Sequence, residues 1–111
     1  MSFIFLYVTT GTQAEAQKIA LQAIKKKLAA CANIFPIFSY YEWKGEMKEE
    51  GEWALILKTV KEKSIALQKE IEKIHSYKVP CIIEIPIKPN STYGAWIAAQ
   101  CSRSVSSADR Y

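Results

Sequence analysis

The sequence contains few of the residues from which most metal, redox and catalytic sites are built. It has one histidine, His75, and three cysteines, none of which form the C-x-x-C pair of a zinc or thioredoxin-like site. An odd number of cysteines cannot form a closed disulfide framework, so we expect reduced thiols. No H-E-x-x-H motif or glycine-rich phosphate loop is present, and the single histidine has no evident nucleophile to serve. The sequence therefore predicts a protein that is not an enzyme and needs no organic cofactor.

Long hydrophobic runs are also missing. The first segment, MSFIFLYVTTG, holds about seven apolar residues with no basic residue before them. It is too short for a transmembrane helix and lacks the charged start of a signal peptide, so it predicts a first strand. We expect a cytoplasmic protein without membrane insertion.

Basic residues are in excess but are not concentrated. The net charge is +4, yet Lys25, Lys26 and Lys27 fall at one predicted helix end, and the later lysines alternate with glutamates. Such a mixed-sign face is typical of a solvated helix, and the sequence predicts no nucleic-acid partner.

The first half of the chain reads as strand, helix, strand. Residues 3–8 are apolar and β-rich, and Thr12 and Glu15 have the spacing of a capping box. Apolar residues then recur with a 3.6-residue period, which predicts a helix to about residue 30. A second strand follows over residues 31–38 and continues extended to residue 43, and Pro36 within it indicates an edge, a bulge or a bend.

The second half repeats this order. The segment WKGEM predicts a turn and residues 52–59 a strand, so residues 38–59 form a predicted long hairpin. Thr59 and Glu62 repeat the capping-box spacing before a helix that ends near His75. A last core strand is predicted over residues 79–87, and Asn90 or Ser91 is expected to cap a short helix that runs to Cys101.

Two strand–helix–strand units predict the fold. A strand that returns through a helix of this length makes a right-handed crossover to a parallel neighbour. Two such units give an α+β, ferredoxin-like βαββαβ sandwich, here with a long central β-hairpin and a short C-terminal helix. We expect one domain over residues 1–102, followed by a polar tail at residues 103–111.

The hairpin carries aromatic residues that alternation would place on both faces. Along IFSYYEW, apolar side chains point both ways, whereas a strand with one solvated face alternates apolar and polar residues. Tyr40, Tyr41 and Trp43 are either tolerated at the surface or buried against another subunit. Because long exposed edges are usually covered, we favour self-association through these residues.

The segment IHSYKVPC, residues 74–81, is the candidate metal site. His75 and Cys81 offer an imidazole and a thiolate, which together suit Cu(I) or Zn(II). Two ligands do not complete a zinc site, so symmetry would have to supply more. The alternative is that His75 is a helix end and Cys81 a small core residue, which is the simpler interpretation for Cys81.

Six short segments together give the sequence a resemblance to the CutA divalent-cation tolerance family over nearly the whole chain to about residue 99. They are the Thr9-Thr10 turn, KLAACANI, Tyr41-x-Trp43-x-Gly45, ILKT, the HxYxVP segment at residues 75–80, and Asn90-x-x-Tyr93-x-x-Trp96. The resemblance implies a homotrimer whose hairpins pack around the three-fold axis. It also implies a role in tolerance to copper and other divalent cations, as in bacteria, or in assembly, as for an animal member linked to acetylcholinesterase anchoring.

The resemblance also bears on the site residues. The family's copper ligands are a Cys, a His and a Glu, and only His75 carries over, because the usual HPYEVPE junction here reads HSYKVPC. Cys81 would then be a softer local replacement in a copper or other divalent-cation site. The family arrangement would also place Lys58, Tyr77 and Trp43 in a cleft beside His75 that suits a small anion or an aromatic ligand. The alternative function is a non-catalytic trimeric signalling or assembly module that binds a small ligand or partner protein in intersubunit clefts.

Overall fold

The computed structural model describes residues 1–102, so the predicted tail at residues 103–111 lies outside the described residues. The elements in chain order are β1 (Phe3–Thr10), α1 (Gln13–Lys25), β2 (Cys31–Trp43), β3 (Glu46–Val60), a 3₁₀ turn (Lys61–Lys63), α2 (Ser64–Ile74), β4 (Ile82–Ile87) and α3 (Ser91–Ser102). The strands form one antiparallel sheet in the order β2-β3-β1-β4. The βαββαβ order with a long hairpin and a C-terminal helix is as predicted.

The core lies between one face of the sheet and the helices α1 and α2. Alternate residues of β1 are buried, and Leu6 sits directly opposite Leu57 of β3 on that face. Ile19 of α1 and Ile71 of α2 pack in the same cluster. The buried residues of the strands and of α1 and α2 therefore form one core layer. The opposite face of the sheet, here called the open face, has α3 packed at the end that holds Phe3 and Val60.

The prediction that the strands joined by each helix are parallel neighbours in the sheet is wrong. β1 and β2 do run in the same direction, but β3 lies between them, and β1 lies between β3 and β4. The reason is the tight hairpin, which brings β3 back antiparallel to β2 and places it against β1. Each helix crossover thus skips one strand, which is the split βαβ arrangement.

The first capping box is confirmed and the second is wrong. Thr12 accepts the Glu15 backbone N–H at 3.1 Å, as the spacing predicted. Thr59 is instead the penultimate residue of β3, and its hydroxyl donates to the Leu28 carbonyl at 2.7 Å. A 3₁₀ turn then delays α2 until Ser64, without a side-chain cap.

Helix α1 ends five residues earlier than its apolar period predicted. Lys27 has a positive φ of 61°, and the Leu28 N–H bonds to the Ala23 carbonyl at 2.9 Å while the Lys27 N–H bonds to Ile24 at 3.0 Å. This pair of bonds is a Schellman motif, in which the residue at the left-handed position is usually glycine. The apolar pattern continues past the helix because Leu28 still packs against the core.

Replacing Lys27 by glycine is expected to stabilise the protein by about 0.5–1 kcal/mol, because a side chain at a left-handed position is strained. The change should appear as a higher urea midpoint with an unchanged slope. Lys25→Gly, within the last turn of α1, is the control and should be destabilising by about 1 kcal/mol. Equal destabilisation by both changes would contradict this account of the helix end.

The hairpin projects beyond the rest of the sheet. β1 pairs only with residues 53–60 of β3, so β3 from residue 46 to 52 and its partners at residues 37–43 have no further strand beside them. Lys44 and Gly45 both have positive φ, which makes the two-residue turn typical of such hairpins. Tyr41 and Trp43 lie on the open-face side and Tyr40 on the other, with exposed fractions of 40%, 57% and 66% in the single chain.

Candidate functional site

His75 ends α2 and connects it to β1. Its side chain is fully buried, and Nε2 lies 2.8 Å from the Thr9 carbonyl oxygen. Since a carbonyl only accepts, Nε2 carries the hydrogen and donates it. Nδ1 accepts the Tyr77 backbone N–H at 3.0 Å. The imidazole is therefore neutral, and its one lone pair, on Nδ1, faces the start of α1.

Glu15 lies directly beside that lone pair. Its Oε2 accepts the Ser76 N–H at 2.7 Å, its Oε1 accepts the Gly11 N–H at 3.4 Å, and Oε2 is 3.6 Å from His75 Nδ1. Burial raises the pKa of the Glu15 carboxyl, but the hydrogen bonds from the Ser76 and Gly11 N–H groups hold that pKa below its usual value. From its spacing, Glu15 is predicted only to cap α1. The capping-box spacing was nevertheless a usable signal, because it directs the carboxylate back over the β1–α1 turn.

Tyr77 closes one side of this group. Its ring centre is 4.8 Å from that of His75, and its hydroxyl donates to Glu52 Oε2 at 2.6 Å. The ring lies over Gly11, where an added Cβ would be 3.3 Å from the hydroxyl oxygen. Burial, the bond to Glu52 and the surrounding carboxylates raise the pKa of Tyr77, which keeps the phenol protonated.

Cys81 is half-buried just before β4 and interacts with a different neighbour. Burial, and then electrostatic interactions with Cys81 and Glu52, raise the pKa of Tyr7. Across residues 1–102, no three His, Cys, Asp or Glu side chains are close enough to hold a metal ion. Of the two predicted metal ligands, His75 has a possible second donor at short range, which is Glu15.

The three residues expected in one cleft lie beside three different positions of β3, about six residues apart. Tyr77 is bonded to Glu52, whereas Lys58 is six residues further along the strand, about 20 Å away. Trp43 pairs with Glu46 at the hairpin end, about 20 Å in the other direction. A single chain therefore keeps Tyr77 beside His75 and separates it from Lys58 and Trp43.

The strand order, the helix layer and the histidine–carboxylate pair define the class: a ferredoxin-like α+β protein with a potential ligand pair. The family described as CutA1 divalent ion tolerance protein matches residues 4–100. The chain belongs to that family.

Solved and curated relatives agree with this assignment. The divalent-cation tolerance protein CutA of Archaeoglobus fulgidus is 45% identical over 84 residues, covering 76% of this chain and 82% of its own. The CutA protein of Thermotoga maritima is 38% identical over 95 residues, covering 85% and 94%. A solved A. fulgidus structure, described as a periplasmic divalent cation tolerance protein CutA, superposes with a TM-score of 0.88 at 40% identity, covering 90% of this chain and 99% of that one.

The helices of residues 1–102 include none that is long and apolar enough to cross a membrane. The cytoplasmic location expected from the sequence stays a prediction, since that archaeal relative is described as periplasmic.

Proposed function

We propose that this chain is a non-catalytic, cytoplasmic divalent-cation tolerance protein that binds copper or another divalent cation in metal-ion homeostasis and works as a homotrimer. The names of its family and relatives support the cation. The main structural support for the metal site is the 3.6 Å separation of His75 Nδ1 and Glu15 Oε2. Nitrogen and oxygen ligands about 2.0–2.2 Å from one metal ion lie roughly 3.3–3.7 Å apart at tetrahedral or trigonal angles.

The hydrogen bonds of His75 support the same assignment. Metal-ligating histidines almost always donate their other ring N–H to a carboxylate or a backbone carbonyl, which fixes the tautomer and the ring orientation. Here the Thr9 carbonyl receives that hydrogen from Nε2 and leaves Nδ1 to coordinate. A bound cation would replace the Tyr77 N–H at Nδ1. The remaining ligands would come from water, from Cys81 or from a neighbouring copy.

A competition titration of reduced protein with Cu(I) and with Zn(II) tests the site. We expect stoichiometric binding that His75→Ala and Glu15→Gln each weaken about tenfold or more, because each removes one of two ligands. Glu70→Gln is the control, since that carboxylate forms an ion pair with Lys26. Comparing Cys81→Ser with wild type reveals whether the thiol takes part. Identical affinities for wild type, His75→Ala and Glu15→Gln would contradict the proposal.

The open face and the sheet edges favour self-association. Ile83 and Ile85 of β4 are 50% and 40% exposed there, beside Tyr7 and Phe5 of β1. β2 and β4 form the two edges, and neither has a further strand beside it within residues 1–102. Two unlike edges that meet head to tail close a ring of copies, which is consistent with a trimer.

This surface also favours a second candidate function. A trimer built through the open face would act as a signalling or assembly module, with a small ligand or partner protein in its intersubunit clefts and metal affinity incidental. The apolar open face supports this second function, since exposed apolar patches mark interaction sites.

A further inference from the structure

The segment that joins α2 to β4 is attached to the body of the protein beside the proposed cation site. Residues 76–80, here called the junction segment, belong to no helix or strand, and their side chains are mostly exposed. The Ser76 N–H donates to Glu15 Oε2 at 2.7 Å. The Tyr77 N–H donates to His75 Nδ1 at 3.0 Å. Segments with few buried contacts are the parts of a fold that open most easily, so these two bonds belong to a segment that can move.

The same two hydrogen bonds occupy the atoms that the cation needs. Glu15 Oε2 and His75 Nδ1 are the proposed ligands, 3.6 Å apart. Nδ1 has a single lone pair, so it either accepts the Tyr77 N–H or coordinates a cation. The Ser76 N–H competes with the cation for Oε2 in the same way. Cation binding therefore requires the backbone at Tyr77 to move away from the imidazole.

The side chain of Tyr77 opposes that movement. Its hydroxyl donates to Glu52 Oε2 at 2.6 Å, and hydrogen bonds to a carboxylate are roughly twice as strong as those between neutral groups. The ring lies against His75, with ring centres 4.8 Å apart, and over Gly11, where the lack of a Cβ leaves room for it. One residue thus occupies the ligand atom with its backbone and is held in place by the end of its side chain.

Glu52 connects this contact to the base of the projecting hairpin. β1 pairs with β3 from residue 53 onward, so Glu52 is the last residue of β3 before that pairing begins. Glu52 is half-buried, and both partners of the bond belong to one chain, so the bond needs no contact with another copy.

We propose that the Tyr77–Glu52 hydrogen bond is a latch that regulates cation entry at His75, an inference that rests on the proposed function. In the closed state the junction segment occupies Nδ1 and the latch holds it there. In the open state the Tyr77 hydroxyl has left Glu52, and Nδ1 is free to bind the cation. The apparent affinity for the cation is reduced by the fraction of molecules that are open. Because such coupling is reciprocal, a bound cation releases Glu52 at the base of the hairpin.

Calorimetric titration of the full chain with Zn(II) tests the latch through the direction of the effect. Tyr77→Phe keeps the ring and the backbone N–H but removes the latch hydroxyl. The open state is then more populated, so zinc affinity should rise about tenfold or more. A residue that only supported the site would lower the affinity when changed. Tyr41→Phe is the matched control, since it removes a hydroxyl from another glutamate of the hairpin, Glu50, and should leave zinc affinity unchanged.

A double-mutant cycle separates the latch from other effects of Glu52. Glu52→Gln should also raise zinc affinity, but less, because the glutamine oxygen still accepts the Tyr77 hydroxyl. Adding Glu52→Gln to Tyr77→Phe should change little more, since the bond is already absent. Hydrogen exchange without zinc is an independent readout: the amides of residues 76–79 should exchange about tenfold faster in Tyr77→Phe than in wild type.

Three results would overturn the latch and leave the cation site intact: zinc affinity unchanged or lower in Tyr77→Phe, exchange of the junction segment unaffected by that change, or an equal rise in affinity in Tyr41→Phe. Zinc binding by Tyr77→Phe but not by wild type would support a latch that is almost always closed. No zinc binding by either protein would overturn both the latch and the proposed cation site. A change of oligomer mass in Tyr77→Phe, measured by light scattering, would assign the hydroxyl to a contact between copies and also overturn the latch.

Discussion

Wild-type protein is expected to have a mass near three times 12.6 kDa in light scattering, and Ile83→Asp is expected to reduce it to that of one chain. Ile83 lies on the open face and is 50% exposed in the isolated chain. If that face is covered by another copy, the aspartate becomes a buried, unpaired charge, which costs several kcal/mol. Cyclic symmetry repeats that cost at every interface, so the loss of assembly should be complete at micromolar concentration.

The control for this change is the same substitution on the other side of the molecule. Leu21 is 69% exposed on α1, and Leu21→Asp introduces the same charge away from the open face. It should leave the mass at three chains. A wild-type mass of one or two chains, or the same mass for both variants, would remove the argument built on the open face. The hairpin aromatics Tyr40, Tyr41 and Trp43 would then be tolerated surface residues.

Glu15→Gln is expected to lower the free energy of unfolding by about 2 kcal/mol at neutral pH. The glutamine keeps the shape of the side chain but removes the charge from its bonds to the Ser76 and Gly11 N–H groups, and hydrogen bonds to charged groups contribute about 1.5–3 kcal/mol. Urea unfolding of both proteins at one protein concentration measures the difference, since the stability of an oligomer depends on concentration.

The pH dependence of that difference follows from the lowered pKa of Glu15. A carboxyl whose pKa is lower in the folded state contributes its stability above its unfolded pKa of about 4.3 and loses it as the pH falls through the folded value. The gap between wild type and Glu15→Gln should therefore be full at pH 7 and close in acid, below pH 4. Glu72→Gln, at an exposed position of α2, should show no gap at either pH. A gap that persists unchanged in acid would mean that the Glu15 charge is not the cause.

The sequence predicted the elements well where local chemistry defines them. The Thr12 capping box, the apolar first strand and the WKGEM turn each appear within a few residues, and each was confirmed. The end of α1 was missed because Lys27 occupies a position where glycine is the usual signal. The start of β3 was missed by six residues because EMKEEG buries no face and so shows no apolar alternation.

The candidate site was less predictable because its contacts join distant parts of the chain. His75 bonds to Thr9, 66 residues away, and Tyr77 bonds to Glu52, 25 residues away. Within one chain Lys58 lies near Tyr93 of α3, because its position depends on the exact register of β3, and its predicted place in an intersubunit cleft with Tyr77 stays a prediction. Local spacing predicts which residues cap a helix, whereas the partner of a buried ring nitrogen depends on how the layers stack.

Because the hairpin projects, the length of this arm and the stability of the folded body can change separately, which is not the case in most small proteins. Within residues 1–102, residues 38–51 pair only with each other, so neither the core under α1 and α2 nor the pairing of β1 with β4 depends on their number. Adding two residues to each arm would lengthen the arm by about 7 Å while the folded body stays the same and every side chain beyond them keeps its face. Adding a single residue to each arm would turn every side chain beyond it to the opposite face. The reach of the arm can thus vary in evolution or by design independently of the stability of the body, provided that both arms change in step.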